Sequence, residues 1–146
     1  MMTAQTILLV EDDPDEEQLA LFAFQQSGIQ DRVIVARDGQ EAVDYLLAQG
    51  AYRHRDINDI PRVVFLDINL PKLNGFEVLK AVRSNKTTAL VPIVLLTTSD
   101  QTCDRIEGYR QGANSFVRKP NDLDKFVESI HELGTYWLEV NSPAYD

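Results

Sequence analysis

One cysteine, Cys103, is the whole thiol content of the 146 residues, so an intramolecular disulfide is excluded. No apolar run approaches the roughly 18 residues that a membrane span needs. Met1 to Gln5 carry neither a basic stretch nor a long apolar one, so no leader pattern is present and the cytoplasm is the expected location. Positive charge is scarce as well. Lys and Arg number 14 against 23 Asp and Glu, and the resulting formal charge of −9 argues against a general nucleic-acid binder. Internal repeats and low-complexity stretches are lacking. What remains is 44% hydrophobic and 25% charged, enough apolar mass for a sizeable core and too little charge for disorder. The length is that of one ordinary domain, read as residues 1–146.

Short apolar runs alternate with longer amphipathic segments along the whole chain. Thr6 to Val10, Arg32 to Ala36, Val63 to Leu66, Ile93 to Thr97 and Ser115 to Val117 read as strands, being brief, aliphatic or β-branched, and bounded by polar residues. Several are apolar throughout, as strands buried on both faces of a parallel sheet must be. Asp13-Pro14-Asp15-Glu16, Asp38-Gly39-Gln40-Glu41 and Asn74-Gly75-Phe76-Glu77 share a capping-box spacing, which predicts helix starts near 14, 39 and 75. A fourth helix is expected from about Asp100 to Gln111, ending at Gly112. A fifth is expected from near Asn121, with Leu123, Phe126, Ile130, Leu133 and Trp137 on one face. Residues 49–62 lack periodicity and read as an extended loop before the third strand. Residues 131–146 read as an extended C-terminal helix and tail, loose from Asn141 to Asp146. The alternation predicts an α/β, doubly wound five-stranded parallel sheet of order 2-1-3-4-5, flavodoxin-like, with helices on both faces in three layers. Its ligand site belongs beyond the C-terminal strand ends, between strands 1 and 3.

Those two strand ends carry acids. Strand 1 closes in Val10-Glu11-Asp12-Asp13 and strand 3 in Leu66-Asp67-Ile68-Asn69. Crowded carboxylates resist ionising unless a positive group joins them, and a hard divalent cation with oxygen ligands is the usual answer. Mg²⁺ fits best, with Mn²⁺ the alternative and no organic cofactor. Asp12 and Asp67 are the expected direct ligands, with the Asn69 backbone carbonyl as a third and Glu11 as an acid behind them; Asp13 reads as a helix cap. Thr97-Thr98-Ser99 at the end of strand 4 adds hydroxyls, and Lys119 after strand 5 places an ammonium at the rim. A cation, hydroxyls and a lysine around a carboxylate suit a transferred phosphoryl group, with a carboxylate as acceptor. Each feature has a plainer account: acid clusters are often solvated caps, Thr97 could be an ordinary strand end and Lys119 a surface charge. Four strand ends of one sheet carrying groups that one chemistry needs favour the site.

Val10-Glu11-Asp12, Asp67 with Asn69 and Pro71, Asn74-Gly75, Thr97, Gly112-Ala113, Phe116 and Lys119-Pro120 together resemble the receiver domain of two-component response regulators, the CheY-like fold, from Ile7 to about Ile130. The resemblance implies that Asp67 accepts a phosphoryl group from a phosphohistidine on a sensor histidine kinase, with Mg²⁺ at Asp12, Asp67 and the Asn69 carbonyl. It implies a switch that catalyses its own phosphotransfer and dephosphorylation, not an enzyme turning over a separate substrate. Thr97, with Thr98 beside it, and Lys119 would contact the phosphoryl oxygens, while Phe116, where Tyr is also common, would swing inward and change the surface of helix 4, strand 5 and helix 5. Residues 49–62, Thr97-Thr98-Ser99, Lys119 to Leu123 and Tyr136-Trp137-Leu138-Glu139-Val140 look like the small single-domain regulators that partner cyanobacterial phytochrome kinases. The resemblance thus implies a phytochrome-like kinase, a downstream protein and a second copy of the chain as partners, with no nucleic acid and no membrane.

A second copy is expected on separate grounds too. Tyr136, Leu138 and Val140 fall off the core face of helix 5, and large apolar groups exposed together suggest an interface; the alternative is that they fold back over the domain's own edge. His54 and His131 read as surface residues, and Cys103 as a small buried or half-buried side chain in helix 4. Two rivals remain for the site. A small Mg-dependent phosphatase of the dehalogenase-like type would need a second aspartate where Asn69 stands. A receiver-like docking module that is never phosphorylated would keep the fold without the chemistry. A flavodoxin-like cofactor binder is weaker, because Glu11-Asp12-Asp13 would repel a phosphate.

Overall fold

The computed structural model describes residues 5–29 and 32–145. Met1 to Ala4 of the segment read for a leader, and Asp146 of the tail, lie outside the described residues. Five strands, β1 (Ile7–Val10), β2 (Val33–Ala36), β3 (Val63–Leu66), β4 (Ile93–Thr97) and β5 (Ser115–Arg118), alternate with α1 (Pro14–Gln26), α2 (Gly39–Leu47), α3 (Gly75–Ser84), α4 (Thr102–Arg110) and α5 (Leu123–Thr135). The strands form one parallel sheet in the order β2-β1-β3-β4-β5, the predicted doubly wound arrangement. β1, β3 and β4 are buried at every position, which is why they read as unbroken apolar runs.

Alternate residues feed two cores. Leu8, Val10, Val64, Leu66, Ile93 and Leu95 face α2 and α3; Ile7, Leu9, Val63, Phe65, Val94 and Leu96 face α1 and α5. Phe24 of α1 stacks on Phe65 at 5.8 Å, and Ile130 of α5 is fully buried on the same face. At roughly 1.5–3 kcal/mol per fully buried large side chain, these two layers are the main source of stability.

Helix boundaries follow local chemistry. Asn74 and Glu77 form a complete capping box, whereas at α2 only half forms: Asp38 accepts from Glu41 N–H, and Glu41 turns to Arg37 N–H and the Tyr52 hydroxyl. At α1, Asp13 accepts from Asp15 and Glu16 N–H, but Glu16's carboxylate does not return to the cap. α4 begins two residues later than expected, because Ser99 Oγ accepts from Gln101 N–H and pairs with Asp104 at 2.6 Å. α5 is capped by Asp122 and begins at Leu123. That first position leaves Leu123 53% exposed, so it does not share the buried face assigned to it.

Three further expectations are corrected. After Thr135 the chain widens into a π-helical turn, Tyr136–Val140, closed by Asn141 N–H on the Tyr136 carbonyl at 2.7 Å. The wider turn rotates Leu138 into the α1/α5 core and leaves only Tyr136 and Val140 exposed from the predicted trio. The tail is held, not loose: the Tyr145 hydroxyl accepts from Leu90 N–H at 2.9 Å and its ring packs on the α2/α3 core. Cys103 is exposed, because it lies in the outward first turn of α4. His54 and His131 are exposed as expected, His131 Nδ1 lying 2.6 Å from Ser27 Oγ.

The loop between α2 and β3 opens with Ala48 in the left-handed region and a 3₁₀ turn over Gly50–Tyr52. Arg55 then stacks on the Tyr45 ring at 3.7 Å and donates to the Tyr45 carbonyl, fastening the segment to α2. Among the described residues no helix is long and apolar enough to cross a membrane.

Gly75, the first residue of α3, presses on the backbone below the site: a Cβ there would lie 2.5 Å from the Asp67 carbonyl oxygen. Gly75→Ala should therefore cost about 1–3 kcal/mol, read as a lower urea midpoint at unchanged slope.

Candidate functional site

Register sets the site. Val10 of β1 lies opposite Leu66 of β3, so the chain leaves both strands at the same height and delivers Glu11 and Asp67 into one crevice. Carboxylate oxygens of Glu11, Asp12 and Asp67 all lie within 4.8 Å of one another. Asp12 is exposed, Asp67 half-buried and Glu11 only 4% exposed. Asn69, exposed on the loop after β3, donates its N–H to Asp67 Oδ1 at 3.4 Å.

Lys119 is not at the rim. It is 6% exposed, and its ammonium donates to Glu11 Oε1 at 2.7 Å, Glu16 Oε2 at 3.1 Å and Asp67 Oδ2 at 3.4 Å. The bond from Lys119 N–H to the Thr97 carbonyl anchors this stretch beside β4 and aims the side chain across the strand ends. Glu16 is the residue that sequence reasoning missed as part of the site. Its spacing from Asp13 reads as a capping box, and no local signal shows that its carboxylate is taken by a lysine 103 residues away.

The electrostatics show unbalanced negative charge. Burial pushes the Glu11 carboxyl up from 4.5 to about 7; Lys119 opposes this, and the neighbouring charges of Asp67 and Glu16 add to it. Burial likewise raises Asp67 against the pull of Lys119. For Lys119 itself, burial disfavours the ammonium, but Asp67, Glu11 and Glu16 together outweigh it and push the pKa up to about 12. One ammonium among the carboxylates of Glu11, Glu16 and Asp67, with Asp12 beside them, leaves a surplus that a divalent cation fits. An oxygen-only donor set of this kind suits Mg²⁺ or Mn²⁺.

The remaining predicted residues lie along β4 and β5. Thr97 is fully buried and its Oγ1 accepts from Ser99 N–H at 3.1 Å; in that bond the hydroxyl keeps its own proton to donate. Thr98 is exposed, on the wall of a groove shared with Glu16, Leu19, Lys119 and Phe126. Phe116 is half-buried below α4. Its N–H donates to the Tyr109 hydroxyl at 3.2 Å, and its ring lies against Gly108, where a Cβ would meet Leu95 Cδ1 at 2.5 Å.

A doubly wound sheet with acids after its first and third strands and a buried lysine after its fifth has the architecture of a signalling receiver. The profile of the response regulator receiver domain matches residues 7–131, and the chain belongs to that family. It is 34% identical over 141 residues to the response regulator Rcp1 of Synechocystis sp., covering 96% of this chain and 94% of that protein. The crystal structure of the Mn²⁺-bound form of Rcp1 superposes with a TM-score of 0.85 at 32% identity, covering 95% and 98% of the two chains. The phosphorylated cyanobacterial phytochrome response regulator RcpA superposes at 0.88 with 30% identity, covering 97% and 99%. The probable methanogenesis regulatory protein FilR2 of Methanothrix harundinacea is 37% identical over 136 residues, 92% of this chain and 84% of that one. The chain is thus a two-component receiver related to phytochrome response regulators, a signalling switch and not a substrate-turnover enzyme of the ordinary kind.

The raised Glu11 pKa fixes a sign for stability. A carboxyl whose folded pKa lies above its unfolded value holds its proton more tightly in the fold, so its contribution falls as pH rises from 4.5 through about 7. In chelator, Glu11→Gln should gain urea resistance relative to the parent protein progressively across that window. A difference that is flat with pH would refute the assignment to Glu11.

Proposed function

We propose that Asp67 is the phosphoacceptor of a phosphorelay, and that the observation carrying this is the contact of Lys119 with both Asp67 and Glu11 at the end of adjacent strands. A carboxylate oxygen of Asp67 attacks the phosphorus of a phosphohistidine. The P–N bond breaks, its electron pair returns to the imidazole, and an acyl phosphate remains on Asp67. Asp12, Asp67 and the Asn69 carbonyl are the proposed protein ligands of the cation, with Glu11 behind them. A bound Mg²⁺ would supply positive charge against the transferring oxygens. Lys119, already in contact with Asp67 Oδ2, would supply a second positive charge to those oxygens. Attack of water on the same phosphorus releases inorganic phosphate and restores the carboxylate.

The new group brings a charge of about −1.5 to −2 into a crevice already rich in acids, so every nearby donor is drawn to it. Thr97 turns its hydroxyl proton to a phosphoryl oxygen, and Thr98 follows on the same stretch. Ser99 loses its acceptor, and with it shifts the start of α4 that Ser99 and Asp104 fasten. Phe116, packed under Gly108 of α4, then moves inward as a ring without a hydroxyl to tether it. The output is a changed surface over α4, β5 and α5. The donor in this reading is a phytochrome-like histidine kinase, supported by the likeness to Rcp1 and RcpA, and the recipient a downstream protein. A phosphohistidine made from ATP puts the exchange in the cytoplasm. Tyr136 and Val140, 46% and 64% exposed, are the residues we assign to contact with a second copy of the chain. Residues 49–62 serve as a fixed extension of α2, since Arg55 and Tyr52 tie them down.

Incubation with acetyl phosphate and Mg²⁺ should add one phosphoryl group by intact mass. Chelator or Asp67→Asn should abolish the adduct, and a folded protein that never acquires it would favour a docking module. In sedimentation, Tyr136→Glu with Val140→Glu should weaken self-association at least about tenfold, whereas a parent protein that is monomeric throughout would remove the dimer.

A further inference from the structure

Glu16 stands outside the acid set that defines the site, yet it holds the lysine that the site depends on. An ammonium has three protons, and those of Lys119 are directed at three carboxylates: Glu11 from below, Glu16 from the first turn of α1, and Asp67 at the longest of the three distances. Glu16's carboxylate has forgone the cap position that its spacing from Asp13 offers, and Asp13 N–H is 3.3 Å from Glu11 Oε2 instead. It is also part of the groove wall beside Thr98, and with its side chain about one-third exposed it is the most accessible of the three acids. Its charge is felt at both Glu11 and Asp67, each of which it pushes toward protonation.

Resting on the phosphoacceptor reading of Asp67, we propose that Glu16 is a positioning residue that competes with phosphoryl oxygens for Lys119. While Glu16 holds the ammonium, an incoming anion meets a carboxylate and an engaged lysine. The group on Asp67 gains its full counterion only when Lys119 turns from Glu16 toward it. Glu16 thereby slows the capture of a phosphoryl group from an anionic donor such as a small acyl phosphate.

The test compares Glu16→Gln and Glu16→Ala with the parent protein and with Glu17→Gln. Glu17 is the next residue, and its carboxylate is occupied by Arg37 at 2.9 Å, so its replacement removes the same charge without touching Lys119. The rate of phosphoryl acquisition from acetyl phosphate is followed by intact mass at saturating Mg²⁺, and Mg²⁺ affinity by thermal shift. Both Glu16 variants should accelerate acquisition by roughly threefold to tenfold, the range a partly exposed charge can exert at this distance, without binding Mg²⁺ more tightly. Glu17→Gln should match the parent. A general loosening of the site would instead weaken Mg²⁺ binding and slow acquisition together. Acceleration absent from both Glu16 variants, or equal in Glu17→Gln, overturns the competition and leaves Asp67 as acceptor untouched. A parent protein that forms no adduct removes the acceptor reading itself.

Discussion

One ammonium shared among three carboxylates is the interaction on which the rest depends. Parallel pairing of β1 with β3 forces Glu11 and Asp67 to the same height, where they cannot diverge without breaking register. Lys119 arrives from two strands away, and its N–H bond to the Thr97 carbonyl fixes it to β4. Burial makes each uncompensated charge expensive, so Glu11 titrates far above an ordinary glutamate. The fold gives up stability at this point and gains a crevice with a standing demand for positive charge.

The route proposed for the effect of added negative charge follows bonded neighbours. Thr97 accepts from Ser99, Ser99 pairs with Asp104, and Asp104 lies in the first turn of α4. Further along α4, Gly108 lets the helix sit directly on Leu95 and Phe116. The absence of a side chain there matters because contact this close transmits small displacements that a looser interface would absorb. A single helix is therefore held at its start by the site's hydroxyls and along its length by the ring beneath it.

The parallel sheet was legible because uninterrupted apolar strands imply cover on both faces, and its order is the flavodoxin-like default for five such strands. The acid residues were legible because strand ends of such a sheet converge. Depth was not. Whether Lys119 is solvated or buried depends on acids over 50 residues away, which no local pattern records. Glu16 was hidden for the same reason, its spacing satisfying a helix-cap rule that the tertiary ion pair overrides. Leu138 was misplaced because the 3.6-residue period fails where the helix opens into a π turn, whose wider winding rotates the side chains that follow. The tail was misjudged because a single phenol, Tyr145, holds it to Leu90, and composition does not register one hydrogen bond.

The Tyr109 hydroxyl on the Phe116 N–H also bears on solubility. β5 lies at the margin of the sheet, and a bare backbone donor on such a strand invites a further strand from another molecule, the usual beginning of aggregation. The phenol plugs one of those donors, so a foreign strand must first evict it. Because the plugged residue is the ring proposed for the switch, protection against misassembly and the proposed transmission of the signal would rest on the same few atoms.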